Sequence, residues 1–275
     1  MEDQIDTFAT EILELVEKAL KDKDPSAVDI FRIIKACKEK FNDFSTLILE
    51  KLKNKKVSYV RHAESGYNAY VSKNILNVII APYKNIVENY DPAITDKGLK
   101  QCQALVSVLD TQELEKFDIV MISPFRRAIE TYLAIKEAKI IKECSNVMLT
   151  CLLRERLDTP CDIGTPLSII QETHSAINSE FIAKENWWSH ELNYDKNNRH
   201  EPNYVKEKKE KVKDRIALLL IWIAVRKENS FLFVGHSNYY DTLVDKMRFI
   251  QPNIKNAEMK TINSENLVNF LRKFI

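Results

Sequence analysis

Glycine is scarce: Gly66, Gly98, Gly164 and Gly235 are the only four in 275 residues. That spacing leaves no room for a GxGxxG or Walker-type phosphate loop and excludes collagen-like or glycine-linker designs. The five cysteines, Cys37, Cys102, Cys144, Cys151 and Cys161, include no C-x-x-C pair. An odd count in a chain this long reads as a set of reduced intracellular thiols. Neither sign of charge is in excess, with 41 Lys+Arg against 40 Asp+Glu. This argues against a nucleic-acid or anionic-membrane binder, while a local basic pocket stays compatible with it. Long apolar runs are missing too. The longest, residues 216–225, is half of the roughly 20 residues that span a membrane, so it reads as a buried helix face. The N-terminus, MEDQIDTFATEILELVEK, is acidic and amphipathic rather than a targeting segment. A cytoplasmic location is the expectation.

Metal-ligand spacing is also lacking. His62-x-Glu64 would suit a zinc deaminase, but that chemistry wants Pro-Cys-x-x-Cys; after Pro160-Cys161, Gly164 holds the second cysteine's place. His190-Glu191 is not completed to His-Glu-x-x-His, and His174, His190 and His200 read as surface or loop residues. No metal and no cofactor is expected.

Apolar residues (45%) and charged residues (29%) occur in ordinary globular proportion, so a disordered chain is excluded. Residues 1–55 read as an N-terminal helical hairpin. Ile5, Phe8, Ile12, Leu15 and Ala19 recur at helical spacing, and Asp24-Pro25 opens a second helix. That helix carries Ile30, Ile34, Cys37, Phe41, Phe44 and Ile48 in alternating steps of four and three. Such a seam packs on the following domain or, as a homodimer contact, on a second copy.

Residues 56–275 read as a second domain in which short β-rich runs alternate with helices. Strands are expected at 57–60, 118–122, 147–151 and 231–235, and helices at 96–109, 124–137, within 204–227, and at 240–249. Val205, Val212, Ile216, Leu219 and Ile223 line one face of the long helix. This alternation predicts an α/β fold: a three-layer α/β/α sandwich around a mainly parallel sheet. In such sheets ligands bind beyond the carboxyl ends of the strands. Three of those ends are conspicuously polar: Arg61-His62-Ala63-Glu64-Ser65, Ser123-Pro124-Phe125-Arg126-Arg127 and Gly235-His236-Ser237-Asn238. Two imidazoles and two guanidiniums meeting at one edge suit a phosphoryl group, whose transfer needs charge neutralisation and in-line positioning.

At these residues the sequence resembles the histidine phosphatase superfamily, the phosphoglycerate-mutase-like fold. VRHAESGYN is similar to its signature, with Ala63 where glycine is usual. DPAITDKGLKQ, SPFRRAIET, LLRERLDTPCD and VGHSNYYDTL resemble the further motifs in the family's order. The first branch fits better, because Ser237 rather than aspartate follows His236. The resemblance implies a phosphatase with His62 as the nucleophile. It implies that Arg61, Arg127 and His236 hold the phosphoryl group and that Glu155 is the acid and base. Asn68, Ser65 and Ser237 are candidate substrate contacts. The substrate is then a phosphorylated small molecule or a phosphoprotein.

A phosphoglycerate mutase-type transferase is the nearest alternative, disfavoured because the Trp-Asn and Gly-Trp-x-Asp features of such mutases have no counterpart here. An idle phospho-ligand scaffold is the alternative outside catalysis. Glu64 reads as a secondary acid, Arg126 as solvated or salt-bridged, and Cys161-Asp162 as lining the entrance. Trp187-Trp188 reads as core. Residues 69–90 read as a lid, and substrate choice is placed in 69–90 and 160–205.

Overall fold

Four short apolar runs, each flanked by a helical stretch, build the sheet of the computed structural model, which describes residues 2–22, 30–73, 90–108, 116–182, 184–188, 206–245 and 253–275. In chain order the elements are α1 (Glu2–Asp22), α2 (Ile30–Lys40), α3 (Phe44–Lys53), β1 (Lys56–Arg61) and α4 (Gly66–Ser72). Then come α5 (Asp96–Val108), β2 (Ile119–Ile122), α6 (Arg126–Glu137), β3 (Val147–Leu149) and α7 (Leu167–Thr173). The last are α8 (Lys209–Val225), β4 (Ser230–Gly235), α9 (Ser237–Leu243), β5 (Met259–Ile262) and α10 (Ser264–Leu271). Two 3₁₀ turns, Cys151–Leu153 and Pro160–Asp162, follow β3. The strand order is β3-β2-β4-β1-β5; β1, β2, β3 and β4 are parallel and β5 is antiparallel.

Strands β1 to β4 are largely buried on both faces, and the two-residue period of the pleat sorts their side chains into two cores. Val57, Tyr59, Ile119, Met121, Phe231 and Phe233 join the core under α1, α2, α3, α8, α9 and α10. Val60, Val120, Ile122, Leu232 and Val234 join the core under α5, α6 and α7. The result is the three-layer sandwich the alternation predicts. Residues 212 and 215–225 of α8 are all buried, because this helix lies between the sheet and the N-terminal helices. No helix of the described residues is long and apolar enough to cross a membrane.

Several elements differ from expectation, and α4, α7 and α10 answer to no expected helix. The second N-terminal helix is two helices, α2 and α3, parted at residues 41–43. Asn42 and Asp43 favour turns over helix interior, and Leu47 N donates to Asp43 O at 3.0 Å to start the next helix. Ile30, Ile34, Cys37, Phe44 and Ile48 are buried in the core shared with α8. The second difference is β5, whose four residues MKTI bury only Ile262 and so carry no alternating signal. Also, α9 begins at Ser237, directly after β4, rather than at Tyr240. Val205 and most of the expected lid (residues 74–89) lie outside the described residues, as do His190 and His200.

Gly235 is required where β4 meets its loop. A Cβ there would lie 2.2 Å from the Tyr59 hydroxyl. That hydroxyl accepts from His236 N at 2.7 Å and donates to His236 O at 3.0 Å. Gly235→Ala is expected to destabilise the fold by about 1–3 kcal/mol through overpacking, read from the denaturant midpoint. An unchanged midpoint would show that Tyr59 moves aside at no cost.

Candidate active site

Parallel pairing fixes the site before any side chain is placed. The register sets Arg61 beside Gly235 and Ile122 beside Val234, so the residues after β1, β2 and β4 emerge at one edge. The ladder continues one step into the loops, with His62 N donating to Gly235 O at 2.8 Å and Ser123 N to Val234 O at 2.9 Å.

The His62 ring is 5% exposed, with Nδ1 2.7 Å from the carbonyl oxygen of Ala63. A carbonyl only accepts, so Nδ1 carries the proton and Nε2 the lone pair. Burial, then the charges of Arg127 and Arg61, hold this imidazole well below the usual histidine range, so it is neutral at physiological pH. The His236 ring is 5.2 Å away, tilted by 55°. Its Nε2 is 2.8 Å from Ser123 Oγ, whereas its buried Nδ1 has no hydrogen-bond partner among the described residues. Burial and then Arg127 hold His236 low as well. Phe125 presents its edge to His236 at 5.2 Å and lies under the Arg127 guanidinium at 4.2 Å.

Both arginines are buried. Arg61 donates from Nη1 to Ile254 O at 3.0 Å. Arg127 donates to Cys161 O at 2.8 Å and pairs with Asp162 at 3.1 Å. A guanidinium has five donors, and these contacts of Arg127 use two groups of its fork, which leaves it capacity for an anion. Arg126, one residue earlier, turns outward to Glu130 at 2.7 Å, as its position on the helix predicts.

Glu155 follows the first 3₁₀ turn and is 7% exposed. Its Oε1 accepts from Arg156 N at 2.9 Å and its Oε2 from Asn238 N at 3.3 Å, which ties it to the turn carrying His236. Burial first, and then the charge of Asp162, push its pKa up to about 7. At neutral pH this carboxyl can both give and take a proton. Behind it, Arg154 and Arg215 grip Glu207 with no exposure, and Arg215 also donates to the carbonyls of Leu152 and Arg154.

The other predicted residues have different surroundings. Ser65 and Asn68 form a reciprocal capping box at the start of α4, and Asn256 Nδ2 donates to Asn68 Oδ1 and His62 O. Their polar atoms serve the loop that carries His62. Ser237 is buried at the start of α9, next to His236. The DPAITDKGLKQ segment is a buttress: Thr95 N donates to Glu64 O, and Gln101 accepts from Glu64 N. A Cβ on Gly98 would sit 2.4 Å from Glu64 O, so α5 approaches this loop as only glycine allows. Glu64 itself pairs with Lys97 at 2.6 Å.

Trp187 and Trp188 are buried edge to face, with Trp187 against Phe125 at 4.8 Å. They are core, and that core is the floor beneath His236. Cys161 is buried and its thiol is pushed well above the usual range, so it is no nucleophile. Sequence reasoning missed Tyr59, Ser123 and Phe125 as supports; each lies within three residues of a polar strand end, which was the available signal.

Residues 58–263 match the family model described as the histidine phosphatase superfamily (branch 1). No curated protein matches the chain. Among solved structures, phosphoglycerate mutase from Bacillus anthracis is similar at 14% identity and a TM-score of 0.44, over 82% of this chain and 99% of that one. Mycobacterial glucosyl-3-phosphoglycerate phosphatase is similar at 16% and 0.42, over 75% and 89%. The ecdysone phosphate phosphatase from Bombix mori is similar at 14% and 0.42, over 75% and 88%.

Proposed function

This chain belongs to the histidine phosphatase superfamily, branch 1, and we propose that within it the protein is a phosphatase that hydrolyses phosphomonoesters through a phosphohistidine on His62. The observation that carries the reading is a pair of buried imidazoles, His62 and His236, 5.2 Å apart at the strand edge that also carries buried Arg61, Arg127 and Glu155. Nε2 of His62 attacks phosphorus and the bond to the ester oxygen breaks. Glu155, in its acid form, gives that oxygen its proton. Arg61, Arg127 and the Nδ1 face of His236 hold the equatorial oxygens, where charge develops. Glu155, now a carboxylate, then takes a proton from the water that cleaves the phosphorus–nitrogen bond. The phosphate leaves and both groups return to their starting states.

The substrate is a phosphorylated small molecule or a phosphoprotein. The test measures phosphate release across a panel of phosphate esters, beside isomerisation of 3-phosphoglycerate. Phosphate release that saturates with at least one ester, at a rate well above any isomerisation, is expected. Isomerisation without appreciable release would replace the phosphatase by a mutase.

A further inference from the structure

We infer that Asp162 is a positioning residue for the site: its carboxylate, held by the Pro160–Asp162 turn, clamps Arg127 against the anion pocket beside Glu155. The role rests on the reading of Glu155 as acid and base.

The placement of Asp162 is unusual for a carboxylate that touches no substrate. It is 4% exposed and closes the Pro160–Asp162 turn seven residues after Glu155. Oδ2 accepts from Thr159 Oγ1 at 3.0 Å, Thr159 N at 3.1 Å and Asp158 N at 3.3 Å. Oδ1 accepts from Arg127 Nη2 at 3.1 Å, while Nη1 of the same guanidinium donates to Cys161 O. The turn therefore grips Arg127 at two points and fixes the plane of its guanidinium before an anion arrives. Preorganisation of this kind lowers the cost of reaching the transition state.

With the Cys161 thiol, 3.7 Å from Oδ1, five donors converge on the two oxygens, so the turn is built for the ionised form. Burial still raises the pKa of Asp162 above the ordinary aspartate range, and Arg127 lowers it. The charge of the same guanidinium also lowers the pKa of Glu155. Among the described residues, the groups that face Glu155 include Asp162 and Cys161 from the turn, Arg127 from α6 and Tyr59 from β1, with the amides of Arg156 and Asn238. Of these, the charge of Asp162 raises the proton affinity of Glu155 and that of Arg127 lowers it. Removing the Asp162 charge also frees Arg127 to act on Glu155 alone, so both consequences point the same way.

The test is a carboxyl-carbon NMR titration of the full chain labelled at Glu and Asp, with Glu155→Gln identifying the Glu155 resonance. Asp162→Asn is expected to lower the Glu155 midpoint by about one pH unit or more, and Asp162→Glu to keep it within a few tenths. A midpoint unmoved by Asp162→Asn, or moved equally by both variants, overturns the proposal. Should Asp162→Asn fail to fold, the parent decides: coupling requires the Asp162 and Glu155 resonances to share both inflections, and two independent single steps overturn it. In parallel, the high-pH limb of kcat/KM for glycerol 2-phosphate should move to lower pH in Asp162→Asn. A parent that releases no phosphate from any ester refutes the phosphatase reading, while the NMR titration still decides the electrostatic role of Asp162.

Discussion

His62→Ala is expected to lower phosphomonoester hydrolysis by about 10⁴-fold or more, with the thermal midpoint close to that of the parent. The size of the effect follows from what the ring supplies. In water a phosphate dianion repels most nucleophiles. Here a neutral imidazole, its lone pair fixed on Nε2 by the Ala63 carbonyl, is buried under the charges of Arg61 and Arg127. Alanine leaves the charged pocket but removes the atom that, in the proposed mechanism, bonds to phosphorus. Phosphate binding should survive while turnover does not. Rapid quench with a labelled ester should trap an acid-labile phosphoenzyme in the parent and none in the variant. Hydrolysis at the parental rate would favour the idle scaffold and end the phosphohistidine reading. The pH profile carries a linked expectation. Because His62 is held well below its usual range, the fall in kcat/KM above neutrality is to be assigned to Glu155, whose acid form is lost as the pH passes about 7.

The legible part of this molecule is the part where local signal and global position coincide. An apolar strand followed at once by Arg61-His62 or by Gly235-His236 states both the element and the edge it points to, since parallel strands share a direction. Arg127 is legible because a helix opening after Ser123-Pro124 must present its first turn at that same edge. Supports reached through space were less legible. Tyr59 reads as one more apolar strand residue, and nothing nearby says that its hydroxyl brackets the backbone of His236 on the next strand. Asp162 reads as part of a segment lining the entrance, and nothing nearby says that its carboxylate pairs with Arg127, 35 positions earlier in the chain. The break between α2 and α3 was masked by a seam that runs on in phase across Asn42-Asp43. For β5, the opposite holds: the edge position needs so little apolar surface that the sequence carries no pattern to read.

Glu207 shows how much of the site depends on a contact with no sequence signature. It lies just before α8 and is fully enclosed by Arg154 and Arg215. Its own amide donates to Leu157 O at 2.8 Å, so it fastens both sides of Glu155. Burial alone would raise its pKa, but the two guanidiniums overcome that and pull it down to about 2, from 4.5 for an unperturbed glutamate. A depressed folded-state pKa contributes stability that is complete above about 4.5 and is lost as the pH falls toward 2. The shift corresponds to about 3 kcal/mol. Glu207→Gln leaves two buried guanidiniums facing a neutral amide, and a loss of about 3–5 kcal/mol at pH 7 is expected. The difference between parent and variant isolates this group, because the buried carboxyls of Asp91, Glu155 and Asp162 are common to both. In urea titrations that difference should be full at pH 7 and shrink steadily between pH 4.5 and pH 2, where the parent's own Glu207 becomes neutral. A gap that stays constant down to pH 3 would mean the cluster contributes packing rather than charge, and the acid loop would then owe its position to the carbonyl contacts of Arg215 alone.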